Sequence, residues 1–356
     1  MLKDIILNIT NNKDAKVLMT NFASLSVMRL IGYIFPLITL PYLARVIGVD
    51  GFGEIAFAAA VMIYFETFTN FGFNYTATRD IARIKNDTLL VSKIFSNVLF
   101  SKIILMLISV IVLGFCVYFI PFMYDKRVLL LITFLYIPGH IIFPDWFFQA
   151  QEKMVYITIL NFISKLIFTL LVFIVIKEPS DYTLYPLLTA CGYWMSGIIA
   201  MYIILKRFGV KLILPSWNDI TETIKGSKNM FVSLFLPNLY TNFSTIILRV
   251  YGGSAATGIY SNGFRFISLS DQLFEVFSRT FFPFLSRRID KHKIYVIISG
   301  FISVLASLML FLLSDLIVDI FYTEEFKDSA LVIKIMSICP IALFLMNTYG
   351  PNYLVW

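Results

Sequence analysis

The stretch FSNVLFSKIILMLISVIVLGFCVYF, residues 95–119, decides the fold. Its only charge is Lys102. Its apolar residues neither alternate nor keep to one helical face, which is the pattern of an element with apolar surroundings on every side. A helix rising 1.5 Å per residue needs about 20 such residues to cross the roughly 30 Å of bilayer hydrocarbon. Hydrocarbon offers no partner to peptide N–H and C=O groups, so a spanning segment of this kind must be helical, and the lack of alternation excludes a β-barrel. The same reading recurs outward in both directions, at roughly 21–43, 54–73, 90–120, 128–149, 155–176, 184–205, 229–250, 257–284, 294–320 and 330–350. The whole chain of 356 residues is 59% hydrophobic, with a mean hydropathy of +0.82. A water-soluble domain of this length has no means of solvating that much apolar surface. The expected class is all-α, a polytopic membrane protein of about ten transmembrane helices.

The net charge of +7 does not point to nucleic acid, because the cations sort by loop. Alternate connections carry Lys3, Lys13 and Lys16, then Arg79, Arg83, Lys85 and Lys93, then Lys153. They continue with Lys206, Arg207, Lys211, Lys225 and Lys228, and end with Arg287, Arg288, Lys291 and Lys293. The opposite connections carry only Arg45, Lys126, Arg127, Lys177 and Lys327. Basic residues collect on the cytoplasmic side, so the N-terminus is expected there. No cleavable leader is evident, and residues 1–20 read as an amphipathic helix on the inner leaflet or as a frayed tail. Cys116, Cys191 and Cys339 fall singly in three spans, with no zinc or disulfide spacing. No metal or other cofactor is expected.

The longest basic connection, 206–228, divides the chain after six helices. Leu43-Ala44-Arg45-Val46-Ile47-Gly48 before it echoes Leu248-Arg249-Val250-Tyr251-Gly252 after it, and Gly53 and Gly258 open the next helices. This reads as a parallel repeat, an organisation known in transporters. The expected domains are a six-helix lobe at 1–210 and a four-helix lobe at 211–356. The second is two helices short of the first and ends directly after an apolar span, which reads as a truncated product.

Seven cations fall inside spans: Arg29, Lys102, Lys165, Arg249, Arg265, Arg279 and Lys334. An intramembrane cation costs a few kcal/mol unless it pairs, snorkels or faces a wet cavity. Arg249, Arg279 and Lys334 lie near span ends, where snorkelling or capping explains them. Arg29 lies deeper, and contacts a substrate, pairs with Glu66, which lies at similar depth on the next helix, or snorkels to the surface. Lys165 is near the middle of the fifth span. Arg265, Asp271 and Glu275 share the eighth, with the two carboxylates four residues apart on one face. Together these residues suggest a polar interior that attracts anions, with Glu66, Asp271 and Glu275 as candidates for ion coupling. His140 and Asp145 show an H-x4-D spacing, but positions five apart on a helix point in different directions. Gly51-Phe52-Gly53-Glu54-Ile55-Ala56 lacks the strand-to-helix context of a nucleotide loop, and no P-loop exists.

Several pieces together carry a resemblance. They are Phe35-Pro36, Pro41-Tyr42-Leu43-Ala44-Arg45-Val46-Ile47-Gly48, Gly51-Phe52-Gly53, Phe71-Gly72-Phe73-Asn74-Tyr75 and Thr78-Arg79-Asp80-Ile81-Ala82. Further on come Asp145-Trp146-Phe147-Phe148-Gln149-Ala150-Gln151-Glu152-Lys153-Met154, Leu236-Pro237-Asn238-Leu239-Tyr240 and Gly258-Ile259-Tyr260-Ser261-Asn262. The combination resembles the Wzx-type O-antigen flippases, the polysaccharide-biosynthesis branch of the multidrug/oligosaccharidyl-lipid/polysaccharide exporter superfamily. The resemblance implies two lobes around a central cavity, in a bacterial inner membrane protein. It implies that the protein moves undecaprenyl-pyrophosphate-linked oligosaccharide repeat units from the inner to the outer leaflet by alternating access. Its partners would be that lipid-linked oligosaccharide, the phospholipid bilayer, and a polysaccharide polymerase and chain-length regulator. Arg29, Lys165 and Arg265 would then meet the pyrophosphate, since guanidinium and ammonium groups match its oxygens. Asn74, Asn238 and Asn242 would meet sugar hydroxyls or, equally, neighbouring helices. The alternatives are a multidrug cation antiporter, whose cavity should favour carboxylates, a membrane polysaccharide polymerase or ligase, and an inactive truncated remnant.

Overall fold

A computed structural model describes residues 13–84, 87–285 and 292–349. Every regular element among them is helical. In chain order they are α1 (Lys13–Asn70), α2 (Phe73–Arg83), α3 (Thr88–Phe119), α4 (Pro121–Tyr124), α5 (Arg127–Phe134), α6 (Tyr136–Ile141) and α7 (Asp145–Ala150). Then come α8 (Met154–Val175), α9 (Leu184–Arg207), α10 (Trp217–Leu285), α11 (His292–Phe321), α12 (Ser329–Met336) and α13 (Cys339–Tyr349). Eight runs are long and apolar enough to cross a membrane. Their outer surfaces are what lipid rather than water would select: Ile111 is 72% exposed, Phe301 69% and Ile335 67%.

Two runs are too long for one crossing. α1 has 58 residues and α10 has 69, which at 1.5 Å per residue is roughly 90 and 100 Å against about 30 Å of hydrocarbon. Each is broken by one glycine, Gly48 (φ 64°, ψ −177°) in α1 and Gly253 (φ 85°, ψ −179°) in α10. Only glycine takes that conformation readily. We call the segments 13–47 and 49–70 α1a and α1b, and the segments 217–252 and 254–285 α10a and α10b. Counting halves, the eight runs become the ten spans expected from hydropathy.

Contacts show that the chain reverses at Gly48. α1a runs parallel to α8: Asn21 accepts from the Met154 amide (3.3 Å), the Ser24 carbonyl from Thr158 (2.8 Å), and Phe35 meets Phe162 at 5.8 Å. α9 runs against α8, with Tyr185 on Phe168 and Ser196 donating to the Leu160 carbonyl. α5 and α6 run with α9, and α1b runs with them through Phe65 on Phe134 and Glu66 on Tyr136. So α1b opposes α1a. α10a opposes α1b in turn, through Phe71 stacked on Phe231 at 4.3 Å, Asn238 donating to Thr67 (2.9 Å) and Tyr64 donating to the Leu239 carbonyl (3.0 Å).

The fourth span is not continuous. Pro138 and Pro144 lack the amide that a helix interior needs, and the run divides into α5, α6 and α7. α3 starts cleanly because the Asp87 carboxylate accepts from the amides of Leu89 and Leu90, both at 3.0 Å. The core of aromatic and aliphatic side chains gathers around α1b, α3 and α7, with Phe57, Phe95, Trp146, Phe147 and Phe148 almost wholly buried.

The described chain forms two compact units, one of residues 1–39 and 57–250 and one of residues 40–56 and 251–356. Within the second unit, the residues after the two kink glycines meet reciprocally. A Cβ built on Gly53 would lie 2.7 Å from the Ser254 carbonyl carbon and nearer still to its oxygen. A Cβ built on Gly258 would lie 3.1 Å from the Val49 carbonyl carbon and again nearer to the oxygen. Asp50 accepts a hydrogen bond from Ser254. Gly48 with Gly253, Val49 with Ser254, and Gly53 with Gly258 are each 205 residues apart, so this junction is a local pseudo-two-fold.

Candidate functional site

The first unit carries a belt of polar side chains through its interior. It follows from spacing on α1b, where Glu66 and Asn70 are four apart and share a face. The Glu66 carboxylate accepts from the Tyr136 hydroxyl (2.8 Å) and lies 3.4 Å from Nδ1 of His140. The His140 ring meets Tyr193 edge-on at 5.4 Å. One turn further on, Lys102 of α3 is 2% exposed and donates to Oδ1 of Asn70 (2.9 Å) and Asn74 (2.8 Å). The Glu66 and Asp145 carboxylates act on its charge through space. The belt therefore holds an acid and a cation with hydrogen bonds made, and a base beside the acid, which gives ionic groups in an interior the partners they need.

Glu66 is thus held by Tyr136 and His140 and not by Arg29, because α1b faces α6 at this depth. Arg29 is half-buried on α1a and makes no hydrogen bond or ion pair among the described residues. Lys165 lines a pocket of about 110 Å³ between α1a, α8 and α9. Asn74 is engaged by Lys102, and Asn238 donates to Thr67. Asn242 donates within its own helix, to the Asn238 carbonyl and to Thr241, both at 3.2 Å.

In the second unit, the Arg265 guanidinium lies 5.9 Å over the ring of Phe52, a cation–π arrangement that tempers its charge without cancelling it. Asn262 is buried, and its Oδ1 accepts from Tyr322 (3.1 Å). Lys334 is paired with Asp315 at 2.7 Å. Oδ1 of Asp271 is buried with no hydrogen bond among the described residues. The side chains of Glu275 and Arg279 lie outside the described residues, as do residues 1–12 of the amphipathic N-terminal reading. In the first unit, Arg249 lies 5.9 Å over Phe57. No group of three potential metal ligands occurs among the described residues.

The H-x4-D spacing points from His140 to Asp145, and the Tyr136–Glu66–His140 cluster is not legible from it. The available signal was that His140 is the one histidine of two that falls in a span, where an ionisable group needs a partner.

Residues 18–289 match the model of the family described as "Polysaccharide biosynthesis protein". A protein of Escherichia coli (strain K12) is 28% identical over 348 residues, covering 95% of this chain and 84% of its own length. One of Shigella dysenteriae is 29% identical over 320 residues, covering 87% and 79%. Both bear the name "Putative O-antigen transporter". The chain belongs to the polysaccharide biosynthesis protein family.

Proposed function

We propose that this member of the polysaccharide biosynthesis protein family is a flippase. It carries undecaprenyl-pyrophosphate-linked oligosaccharide repeat units from the inner to the outer leaflet of a bacterial inner membrane, by alternating access, with its N-terminus in the cytoplasm. The observation that carries the reading is Arg29, a cation within a spanning segment with no counter-charge among the described residues. Leaving such a group unpaired costs a few kcal/mol, and a protein that keeps it gains if an anionic substrate supplies the missing charge. A guanidinium fork matches phosphate oxygens in two parallel hydrogen bonds. Arg265 is a second such cation, in the second unit, its guanidinium 5.9 Å over the ring of Phe52. Asn242, whose Oδ1 accepts nothing among the described residues, is free to accept from a sugar hydroxyl. Asn74 and Asn238 serve chiefly to hold helices together. Energy enters through an ion gradient or the membrane potential. Glu66, hydrogen-bonded to Tyr136 and beside His140, is the best-built coupling group, and Asp271, whose Oδ1 has no hydrogen bond among the described residues, is the second. The polymerase and chain-length regulator act downstream of this step.

The test is complementation of a flippase-deficient strain that makes the matching repeat unit. Arg29→Ala should abolish surface polysaccharide while membrane levels of the protein hold. Normal surface polysaccharide from that variant removes Arg29 from the mechanism.

A further inference from the structure

We propose that the pocket around Lys165 binds a small monovalent anion of the size of chloride or bromide. The pocket lies wholly within the first unit. Phe35 and Pro36 of α1a close one side, and the facing surfaces of α8 and α9 form the others. Seven side chains with hydrogen-bond donors line it; Asn161, Thr189 and Ser196 donate to backbone carbonyls, which leaves four donors, the Lys165 ammonium and the hydroxyls of Ser164, Tyr185 and Tyr193. None of the four has a hydrogen-bond partner among the described residues. No carboxylate lines the pocket among those residues. Gly192 makes room for this arrangement, since a Cβ there would lie 2.7 Å from Oγ of Ser164.

Unpartnered donors around a cation, with no carboxylate among the lining residues, are the complement of an anion. Lipid supplies no counter-ion, and an unpaired lysine in a span costs a few kcal/mol that a bound anion would offset. Size selects among anions. The pocket measures about 110 Å³, less than the roughly 150 Å³ cavity that holds benzene and well below the 300–1,000 Å³ of sites for larger ligands. A whole glycosyl pyrophosphate exceeds that volume, and a halide with a water or two fills it. The bound anion fixes α8 against α9, independently of the transported head group.

The test is thermal unfolding of the detergent-purified chain, followed by tryptophan fluorescence, at constant sodium and ionic strength. Gluconate, too large for the pocket, is replaced stepwise by chloride or bromide. Binding to the native state alone raises Tm with the logarithm of anion concentration. Wild type should show that rise, and Lys165→Gln should lose it. Tyr185→Phe, the milder change should Lys165→Gln fail to fold, should shift the midpoint about tenfold to higher concentration, the value of one hydrogen bond to a charge. A wild type indifferent to halide, or a Lys165→Gln variant with an unchanged halide response, overturns the site. A third arm uses inorganic pyrophosphate. Stabilisation by pyrophosphate and not by halide, lost in Lys165→Gln, would also overturn it and return Lys165 to the head-group path. Arg29→Ala should keep the halide response, so failure of the transport reading is separately visible.

Discussion

Replacing Gly53 by alanine should wedge apart the junction that follows the two kinks. The new Cβ would sit 2.7 Å from the Ser254 carbonyl carbon and 3.0 Å from the Gly258 amide nitrogen. Carbon atoms are at ease at about 3.5–4.0 Å, so the backbones must part by roughly 1 Å, and a gap of that size forfeits a quarter to a half of each dispersion contact across it. Neither obstacle is the end of a flexible side chain, so rotamer changes give no relief. Overpacking of this kind costs about 3 kcal/mol, and better helix propensity returns about 1 kcal/mol, for a net loss near 2 kcal/mol. Gly258→Ala meets the Val49 carbonyl in the same way, and its loss should be similar. The reciprocal geometry makes a sharper statement about the pair. One separation of about 1 Å accommodates both methyl groups, so the double variant should lose little more than either single one, a coupling of 1–2 kcal/mol. The assay is Tm in detergent across the four members of the cycle. Gly32→Ala serves as control, because a Cβ there meets nothing within 4 Å. Additive losses would refute the shared contact, and a Gly53→Ala variant as stable as the Gly32→Ala control would refute the close approach itself.

Two further outcomes follow from buried hydrogen bonds. Lys102→Met removes the donor to both Asn70 and Asn74 and should cost about 3 kcal/mol, seen as poor membrane levels and a lowered Tm. Adding Asn74→Leu should restore part of the loss, because an apolar pair no longer strands a carbonyl; a double variant worse than the single one contradicts this. Glu325→Ala removes the carboxylate that accepts from the Val49 amide at 3.2 Å, at the start of α1b, and should cost about 1 kcal/mol, with Glu325→Gln keeping part of it. Equal Tm for Glu325→Ala and wild type would show that water caps that amide as well.

Hydropathy made the spans legible because a lipid solvent imposes one requirement on every crossing, that it be apolar for about 20 residues. It did not show that the first two spans join through one residue. Gly48 looks like any loop glycine in sequence, and its left-handed φ became evident only with helix on both sides. The echo of Arg45 in Arg249 was visible at a separation of 204, yet the reciprocal contacts follow a register of 205, carried by Gly48 and Gly253. Side-chain partners were harder still. Depth alone paired Glu66 with Arg29, since both lie partway into adjacent spans. Rotation about the helix axis decides partners, and rotation is set by how α1b packs on α5 and α6, about 70 residues away. Lys102 likewise meets Asn70 and Asn74 across about 30 residues of chain.

The intramembrane cations can be divided by what balances them, and that division is the strongest guide to function here. Lys334 has Asp315, and Lys102 has two carboxamides at hydrogen-bond distance with two carboxylates beyond. Lys102 is structural, since removing its partners leaves a buried cation stranded, whereas Lys334 sits in a partly exposed ion pair. Arg249 and Arg265 lie over aromatic rings, which temper a cation without neutralising it. Arg29 and Lys165 have no balancing group among the described residues. With no counter-charge among the described residues, both groups suit an anion from outside the chain, and the two surroundings ask for different ones. The small, hydroxyl-lined pocket of Lys165 selects by size, whereas Arg29, on the half-buried surface of α1a, is open to a larger anion. On this reasoning, chloride should protect Lys165-dependent stability without competing for the group that Arg29 serves, and loss of Arg29 should stop transport without loosening α8 from α9.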